Sequence, residues 1–368
     1  MTMQFRIFSV GLVIGGTSFA QARQTCGTVV TAEQIAQELE WQDAGLFDGV
    51  GPRGVDDFRY VRVAIHVVRY SDGSGEVSRT DIQIGLHQAN AEFASSRIVF
   101  IPIHVDYIDS DQYADLQNAE GESLRQLNVV AGALNVYYVP VAPYCGEATL
   151  PGGTPQGVIM MNSCAASGGV LSHEFGHYFS LYHTHETAFG ADCPVGANCS
   201  ADGDLVCDTP PDPGLSHCDG SLGSCVDNCT YTGDFICGPG DGVPFAPNVL
   251  NTMSYTDTEC MSGFSAGQHV RIRAAIGLAD RSDEVALENP CGVPTYARPG
   301  IGFGFGDWLV PAGGLRAGIA LSANFCGNPE GGVVIALRGE YSEGTGVFNT
   351  PVTIVASREG TGDVVIRP

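Results

Sequence analysis

Residues 173–183, HEFGHYFSLYH, constrain this chain more than any other feature. His173 and His177 are four residues apart, so on a helix they share one face and can bind one metal ion from the same side. His183 reaches the same ion only if the chain bends sharply after about residue 180. Three protein ligands leave a fourth position for water, as in catalytic zinc sites. A buried helix whose histidines only form hydrogen bonds would leave this spacing unexplained, so the spacing predicts a zinc site with Glu174 beside it.

The first residues of the chain predict export. Arg6 is followed by a largely apolar stretch over residues 7–14 and then by small residues, which is typical of a signal peptide cleaved after Ala20 or Ala22. We expect residues 1–22 to be removed and residues 23–57 to form a pro-segment. No later stretch is apolar and long enough to span a membrane, so the sequence predicts a soluble, secreted protein.

Charge and cysteine content narrow the partners and the compartment. The formal net charge is −24, and all seventeen basic residues are arginine. A phosphate backbone or an anionic membrane surface would be repelled, so nucleic acid is excluded as a partner. Ten of the 13 cysteines lie between Cys145 and Cys260, which predicts disulfides formed in an oxidising compartment. The odd number leaves at least one thiol without a partner in the chain.

Hydrophobic periodicity predicts an α/β fold. Buried strands are expected at residues 60–69, 98–105, 134–139 and 157–161, with a helix over residues 80–94 between the first two. This order favours a mixed sheet in a domain that spans residues 58–288. Within it, residues 191–247 are rich in Gly, Pro, Asp and Cys, which indicates an irregular, disulfide-tied lower subdomain. A linker at residues 289–300 and a small module resembling a β-sandwich at residues 301–368 complete the prediction.

Several motifs together resemble the metzincin clan of zinc metalloproteases, and within it the pappalysin (cytophagalysin-like) family. They are HEFGHYFSLYHTHE at the histidines, GDLVCDTPPDP at residues 203–213, NTMSYTDTEC at residues 251–260 and FSAGQHVRIR at residues 264–273. The upstream segment VAIHVVRYSDGSGEVSRTDIQ also resembles that family. The resemblance covers roughly residues 58–283 and none of the C-terminal module.

The resemblance implies a secreted zinc endopeptidase that acts on protein or peptide substrates. His173, His177 and His183 would bind zinc, and Glu174 would be the general base. The same resemblance makes Met253 the methionine beneath the metal site and places Tyr255 near the metal. It would act there as a loose ligand or as a donor to the developing oxyanion. A catalytically silent protein of the same fold, which binds surfaces or matrix through its β module, is the alternative.

The bend between His177 and His183 departs from the sequence that the family usually has. The family usually has glycine at the bend where this chain has Ser180, and serine adopts a positive φ only at a cost, so the bend is strained or uses another conformation. His185 is a spare ligand whose spacing fits less well.

A second cation, calcium, is indicated by oxygen-bearing side chains in a Gly-rich loop, with an exposed acidic turn as the alternative. The proposed calcium ligands are Asp202, Asp204, Asp208 and Thr209, with Asp192 and Asp212 as contributors.

Cys26 lies just after the predicted signal peptide, in ARQTCGT, and admits two interpretations. Its thiolate could occupy the zinc of an inactive precursor, as in the cysteine switch of other metzincins, or it could form a disulfide with Cys291 or Cys326. The resemblance to metzincins also implies that the stretch after Met253 lines the substrate pocket, where Asp257 and Glu259 would favour Arg or Lys.

Overall fold

A computed structural model describes residues 26–47, 59–215, 225–237, 242–278 and 281, together with six short strands beyond residue 285. The predicted signal peptide, residues 23–25 and 48–57 of the predicted pro-segment, and residues 289–294 and 298–300 of the predicted linker lie outside the described residues. Described cysteines form the disulfides Cys145–Cys164, Cys193–Cys237, Cys199–Cys207 and Cys229–Cys260, and Cys225 is also disulfide-bonded. Among the described helices, none combines the length and apolarity that crossing a bilayer requires.

One mixed sheet organises the predicted α/β domain. Its strands are β1 (Arg59–Arg69), β2 (Ile98–Asp109), β3 (Leu134–Val139), β4 (Gly146–Ala148), β5 (Val158–Met161) and β8 (Ala286–Leu287). The order is β2-β1-β3-β5-β4, with β8 pairing with the start of β1. The pairs within β2-β1-β3-β5 are parallel, whereas β4 and β8 pair antiparallel with their neighbours. The predicted α/β fold with a mixed sheet is therefore confirmed, although the short edge strand β4 was not predicted.

Helices cover both faces of this sheet. They are α1 (Ala32–Asp43), α2 (Arg79–Glu92), α3 (Asp111–Ala114), α4 (Gly121–Leu124), α5 (Val170–Tyr178) and α6 (Ala266–Ala275). The main hydrophobic core lies between the sheet and α2 and α5, where Phe93, Phe100, Phe175 and Phe179 pack together. Every residue of α5 is buried. Because α5 is held on both sides, the side chains that it carries toward β4 have little freedom.

The region after α5 is largely irregular, as predicted. Apart from α6, its described regular structure is a two-stranded hairpin, β6 (Val226–Asp227) with β7 (Thr230–Tyr231). Further along, the described strands are β9 (Thr295–Ala297), β10 (Val333–Ala336), β11 (Gly339–Ser342), β12 (Thr353–Ala356) and β13 (Val364–Arg367). They pair in parallel as β12-β10-β9 and β11-β13. The predicted sandwich arrangement of this module remains a prediction.

Candidate active site

Three imidazoles meet at the end of α5. The Nε2 atoms of His173, His177 and His183 form a triangle with sides of 3.0, 3.1 and 3.2 Å. His173 Nδ1 contacts the carbonyl of Thr252 at 2.7 Å, and His177 Nδ1 contacts the carbonyl of Leu181 at 2.8 Å. Since a carbonyl only accepts, both Nδ1 atoms carry the proton, and the corresponding Nε2 lone pairs point into the triangle.

This donor set fits a divalent metal ion. Burial, the largest cause, lowers the pKa of His173 to about 4 and lowers the pKa values of His177 and His183 well below the usual range, so the imidazoles are neutral. Neutral nitrogen atoms that face one another repel unless a cation lies between them. A triangle of this size accommodates an ion about 2.0 to 2.1 Å from each nitrogen, the usual zinc–nitrogen distance.

A fourth group, the thiol of Cys26, lies beside the three imidazoles. Among the described residues, one group of side chains is placed to hold a metal ion: Cys26 and these three histidines, whose ligand atoms all lie within 4.8 Å of one another. Cys26 forms no disulfide. Burial, followed by the charge of Glu174, raises the pKa of the Cys26 thiol well above its usual range. A bound cation would reverse that shift, because metal coordination deprotonates a thiol.

Residues 26–28 lie along the edge strand of the sheet. Cys26 forms a parallel bridge with Gly146 in β4, and the backbone N–H of Gly27 donates to the carbonyl of Gly146 at 2.8 Å. The backbone N–H of Ala148 donates to Thr28 Oγ1 at 2.9 Å. The edge strand is thus already paired with a segment of the same chain, and this pairing carries the Cys26 thiol to the histidines.

Glu174 projects between β4 and the histidines. A side chain at Gly146 would come within 2.5 Å of the Glu174 Cγ and Oε1 atoms, so glycine is needed at that position. Glu174 Oε2 lies 3.7 Å from Cys26 Sγ and 3.4 Å from Thr28 Oγ1, whereas the buried Oε1 has no hydrogen-bond partner. Burial raises the pKa of Glu174 to about 8. A cation at the neighbouring imidazoles would favour the ionised form and oppose that shift.

Met253 and Tyr255 lie below and beside the histidines. Met253 is fully buried, and a side chain at Gly176 of α5 would come within 2.5 Å of the Met253 sulfur. The Tyr255 hydroxyl donates to the carbonyl of Cys26 at 3.3 Å, and its ring lies 4.7 Å from that of His183. The spare histidine, His185, stacks on the His183 ring at 5.0 Å but is not among the four converging groups.

The bend between the second and third histidines is a Schellman motif. The Leu181 N–H donates to the carbonyl of Gly176 at 2.9 Å, and the Ser180 N–H donates to that of His177 at 3.0 Å. Ser180 has a φ of 71°, the left-handed conformation that glycine usually supplies at this position. Of the two alternatives left open by the sequence, the structure adopts the strained bend, at a cost of roughly 1 to 2 kcal/mol.

Asp212 is a buried carboxylate that joins the segment after His183 to the segment that carries Met253 and Tyr255. Asp212 Oδ2 accepts from Thr184 Oγ1 at 2.6 Å and from Ser254 Oγ at 2.8 Å, while Oδ1 accepts from the Gly214 N–H. Thr184 follows His183, and Ser254 lies between Met253 and Tyr255. The sequence indicated Asp212 only as a calcium contributor, because no local pattern reveals which loops a carboxylate will join.

The carboxylates predicted to bind calcium do not converge as the histidines do. Both oxygens of Asp208 accept hydrogen bonds at the start of α6, from Ser265 and Gly267. Asp204 is 3% exposed, and its Oδ1 accepts from Thr209 Oγ1 at 2.9 Å, but its buried Oδ2 has no partner. Burial raises the pKa of Asp204 to about 7. The pKa of Asp192 is raised mainly by burial and secondly by the nearby charge of Asp202.

The two acidic residues predicted to line a substrate pocket, Asp257 and Glu259, are both exposed. No hydrogen bond connects either side chain to the histidine cluster in the part of the chain that the structure describes. A role in substrate preference stays a prediction for both residues.

Known proteins are similar to this chain over the region that contains the site. Residues 156–277 match the model of the M43 peptidase family, described as pregnancy-associated plasma protein-A. An extracellular metalloprotease of Colletotrichum graminicola is 28% identical over 300 residues, which cover 74% of this chain and 96% of the relative. An extracellular metalloprotease of Arthroderma otae is 26% identical, over 74% of this chain and 97% of the relative. A solved structure of mirolysin in complex with a compound has 17% identity and a TM-score of 0.44, and covers 60% of this chain and 93% of that chain.

These matches define the chain as a metalloendopeptidase. Residues 156–277 match the model of the M43 (pappalysin) family, so the resemblance to that family predicted from the sequence is confirmed. The family implies a resident metal ion, and the alternative of a catalytically silent binding protein is not favoured.

Proposed function

We propose that the protein is a secreted zinc endopeptidase in which His173, His177 and His183 hold the metal and Glu174 is the general base. The observation that carries this proposal is the 3.0–3.2 Å triangle of neutral imidazoles beside a buried carboxylate, with His173 and His177 protonated at Nδ1. When bound, zinc polarises the scissile carbonyl and lowers the pKa of water to about 7. The names of the extracellular relatives support the secreted location.

The chain's own groups provide the proton transfers. Glu174 Oε1, which is buried and lacks a hydrogen-bond partner, takes a proton from the attacking water and later delivers it to the leaving amine. The Tyr255 hydroxyl donates to the oxygen of the substrate carbonyl as negative charge develops there. Its hydrogen bond to the Cys26 carbonyl supports this role, because that carbonyl is an acceptor of the same kind as the substrate's. Burial raises the pKa of Tyr255, so the hydroxyl keeps its proton.

The proposed function is tested by hydrolysis of a peptide library by the processed protein, read by mass spectrometry. We expect a zinc chelator to abolish all cuts, and zinc but not calcium to restore them, because the nitrogen donors prefer zinc. Residues flanking the cuts would also test whether Asp257 and Glu259 select Arg or Lys. Undiminished hydrolysis by metal-free protein would contradict the proposal.

Residues 26–47 are proposed to keep this enzyme latent in its precursor. The thiol of Cys26 occupies the position that water needs, and Gly27 and Thr28 occupy the edge strand along which an extended substrate would pair. The place of the free Cys26 thiol at the three histidines supports the switch. Cys291 and Cys326, the partners in the alternative disulfide, lie outside the described residues.

Calcium is proposed to bind at Asp204, where a buried carboxylate oxygen lacks a partner. Burial raises the pKa of Asp204 from 3.8 to about 7. The free energy of unfolding therefore decreases as the pH rises from about 4 to 7, and the full cost of the buried charge is present above pH 7. At pH 8 without calcium, Asp204→Asn should therefore raise the thermal midpoint, by roughly 2 to 4 °C per kcal/mol removed. Calcium should stabilise the wild type, and this response should disappear in the variant.

The control for this prediction is Asp227→Asn, which removes an exposed carboxylate from the same irregular region. It should leave the calcium response unchanged, as measured by differential scanning calorimetry. Equal calcium stabilisation of the wild type and Asp204→Asn would show that the cation, if bound, does not use Asp204.

A further inference from the structure

The strained bend at Ser180 is held by a side chain from a distant helix. Arg271 in α6 donates from Nε to the Ser180 carbonyl at 2.7 Å and from Nη2 to Ser180 Oγ at 3.2 Å. Ser180 is fully buried and has a φ of 71°. Both polar groups that Ser180 presents to α6 are therefore bound by one guanidinium, and this pair of bonds requires the left-handed conformation to be kept.

Arg271 is itself held in one orientation. Its Nη2 atom lies 2.7 Å from Oε2 of Glu38 in α1, and the side chains of these two residues are 5% and 0% exposed. Tyr182 donates its hydroxyl to the same carboxylate at 3.0 Å. The guanidinium also lies over the Phe47 ring at 4.1 Å and over the Tyr182 ring at 5.1 Å. A planar group with this many contacts has little freedom to rotate.

The bend determines where two of the histidines lie. Leu181, the next residue after Ser180, supplies the carbonyl that accepts from His177 Nδ1, and its own N–H closes the motif on Gly176. His183 follows two residues later. A change in the conformation of Ser180 would therefore move the carbonyl that orients His177 and redirect the chain that carries His183.

We propose that Arg271 is a positioning residue for the metal site, which compensates in this chain for serine at a position that favours glycine. The proposal rests on the proposed zinc function for its consequence, although the bend and its contacts are independent of any ion. Arg271 touches neither the metal ligands' nitrogen atoms nor the substrate position. It acts through the backbone of Ser180, and in the unprocessed chain Glu38 acts by orienting Arg271.

A double-mutant cycle tests this proposal in the full chain. Arg271→Lys keeps a positive charge opposite Glu38, but a single ammonium cannot replace the planar fork that binds both oxygens of Ser180. Zinc affinity, measured by competition with a chromogenic chelator, should fall by roughly 10-fold or more, as when outer-shell partners of metal ligands are removed. In a Ser180→Gly background, the same substitution should reduce affinity by less than about threefold, because glycine adopts the bend without support.

Thermal unfolding of the metal-free chain provides the second readout. Arg271→Lys should lower the midpoint temperature of thermal unfolding by clearly less in the Ser180→Gly background than in the wild type. Arg125→Lys is the matched control, since Arg125 is similarly buried and pairs with Glu147 at 2.9 Å without touching the bend. Its effects should be the same in both backgrounds.

Two results would overturn the proposal. One is an equal loss of zinc affinity from Arg271→Lys in the serine and glycine backgrounds, and the other is an equal loss of thermal midpoint. If no variant binds zinc, the proposed function fails and the thermal cycle alone decides whether Arg271 holds the bend.

Discussion

Glu174→Gln is expected to lower kcat/KM for peptide hydrolysis by roughly 10²- to 10⁴-fold, the range that a positioned general base contributes. Glutamine has the same shape as glutamate and can still accept from Thr28, but it cannot take a proton from water. The three histidines are untouched, so the metal content should stay at the wild-type level. The measurement is steady-state hydrolysis of a fluorogenic peptide by processed protein, with zinc measured by mass spectrometry on the same samples.

Glu122→Gln serves as the control, because Glu122 is an exposed carboxylate in α4 that contacts none of the histidines. Its kcat/KM should match that of the wild type within about twofold, since surface changes rarely have larger effects. Should Glu174→Gln retain activity within a factor of ten of the wild type while binding zinc normally, another group must accept the proton. The role proposed for Glu174 would then be wrong.

Cys26→Ser is expected to make the unprocessed precursor active, with an increase of roughly 10²-fold over the wild-type precursor. A ligand tethered to its own site acts at high effective concentration, and removing its strongest contact loses most of that advantage. The hydroxyl of serine is a poor zinc ligand at neutral pH, whereas a coordinated thiol is ionised. Activity should be measured on full-length protein that mass spectrometry shows to be uncut, at the start of the reaction.

Activation should nevertheless remain partial. The Gly27 N–H would still donate to the Gly146 carbonyl, and α1 would still be anchored by the buried pair of Glu38 and Arg271. Thr28→Val is the companion variant, because it keeps the thiol while removing the hydroxyl that binds the Ala148 N–H. It should stay latent. A Cys26→Ser precursor that is as silent as the wild type until processing would end the cysteine-switch proposal.

The features that could be predicted from the sequence are those encoded by neighbours along the chain. The four-residue spacing of His173 and His177 requires a helix, and α5 carries both on one face toward His183. The long apolar runs of β1 and β3 predicted buried strands because parallel strands are covered on both faces. Residues 191–247 lack periodicity and contain no helix among the residues described there.

What could not be predicted depends on contacts between distant segments. Strand β4 has only three residues, too few to show an alternating pattern, yet it forms the edge that residues 26–28 occupy. The carboxylate of Asp208 was assigned to calcium from its spacing, but in the fold it accepts from residues 265 and 267 at the start of α6. Charge and spacing alone cannot tell which backbone N–H groups a carboxylate will meet.

The sequence by itself determined the class of chemistry, because metal binding by His173, His177 and His183 depends on local spacing and on donor type. The resemblance to the family also indicated the strain at Ser180, since the family usually has glycine there and serine adopts a positive φ only at a cost. Only the tertiary structure decided how that strain is borne. Arg271 follows Ser180 by 91 residues and Glu38 precedes it by 142, and they meet because α1 and α6 pack against the same bend. Burial of a charged pair is favourable only when both partners and their hydrogen bonds are in place, which no local pattern encodes.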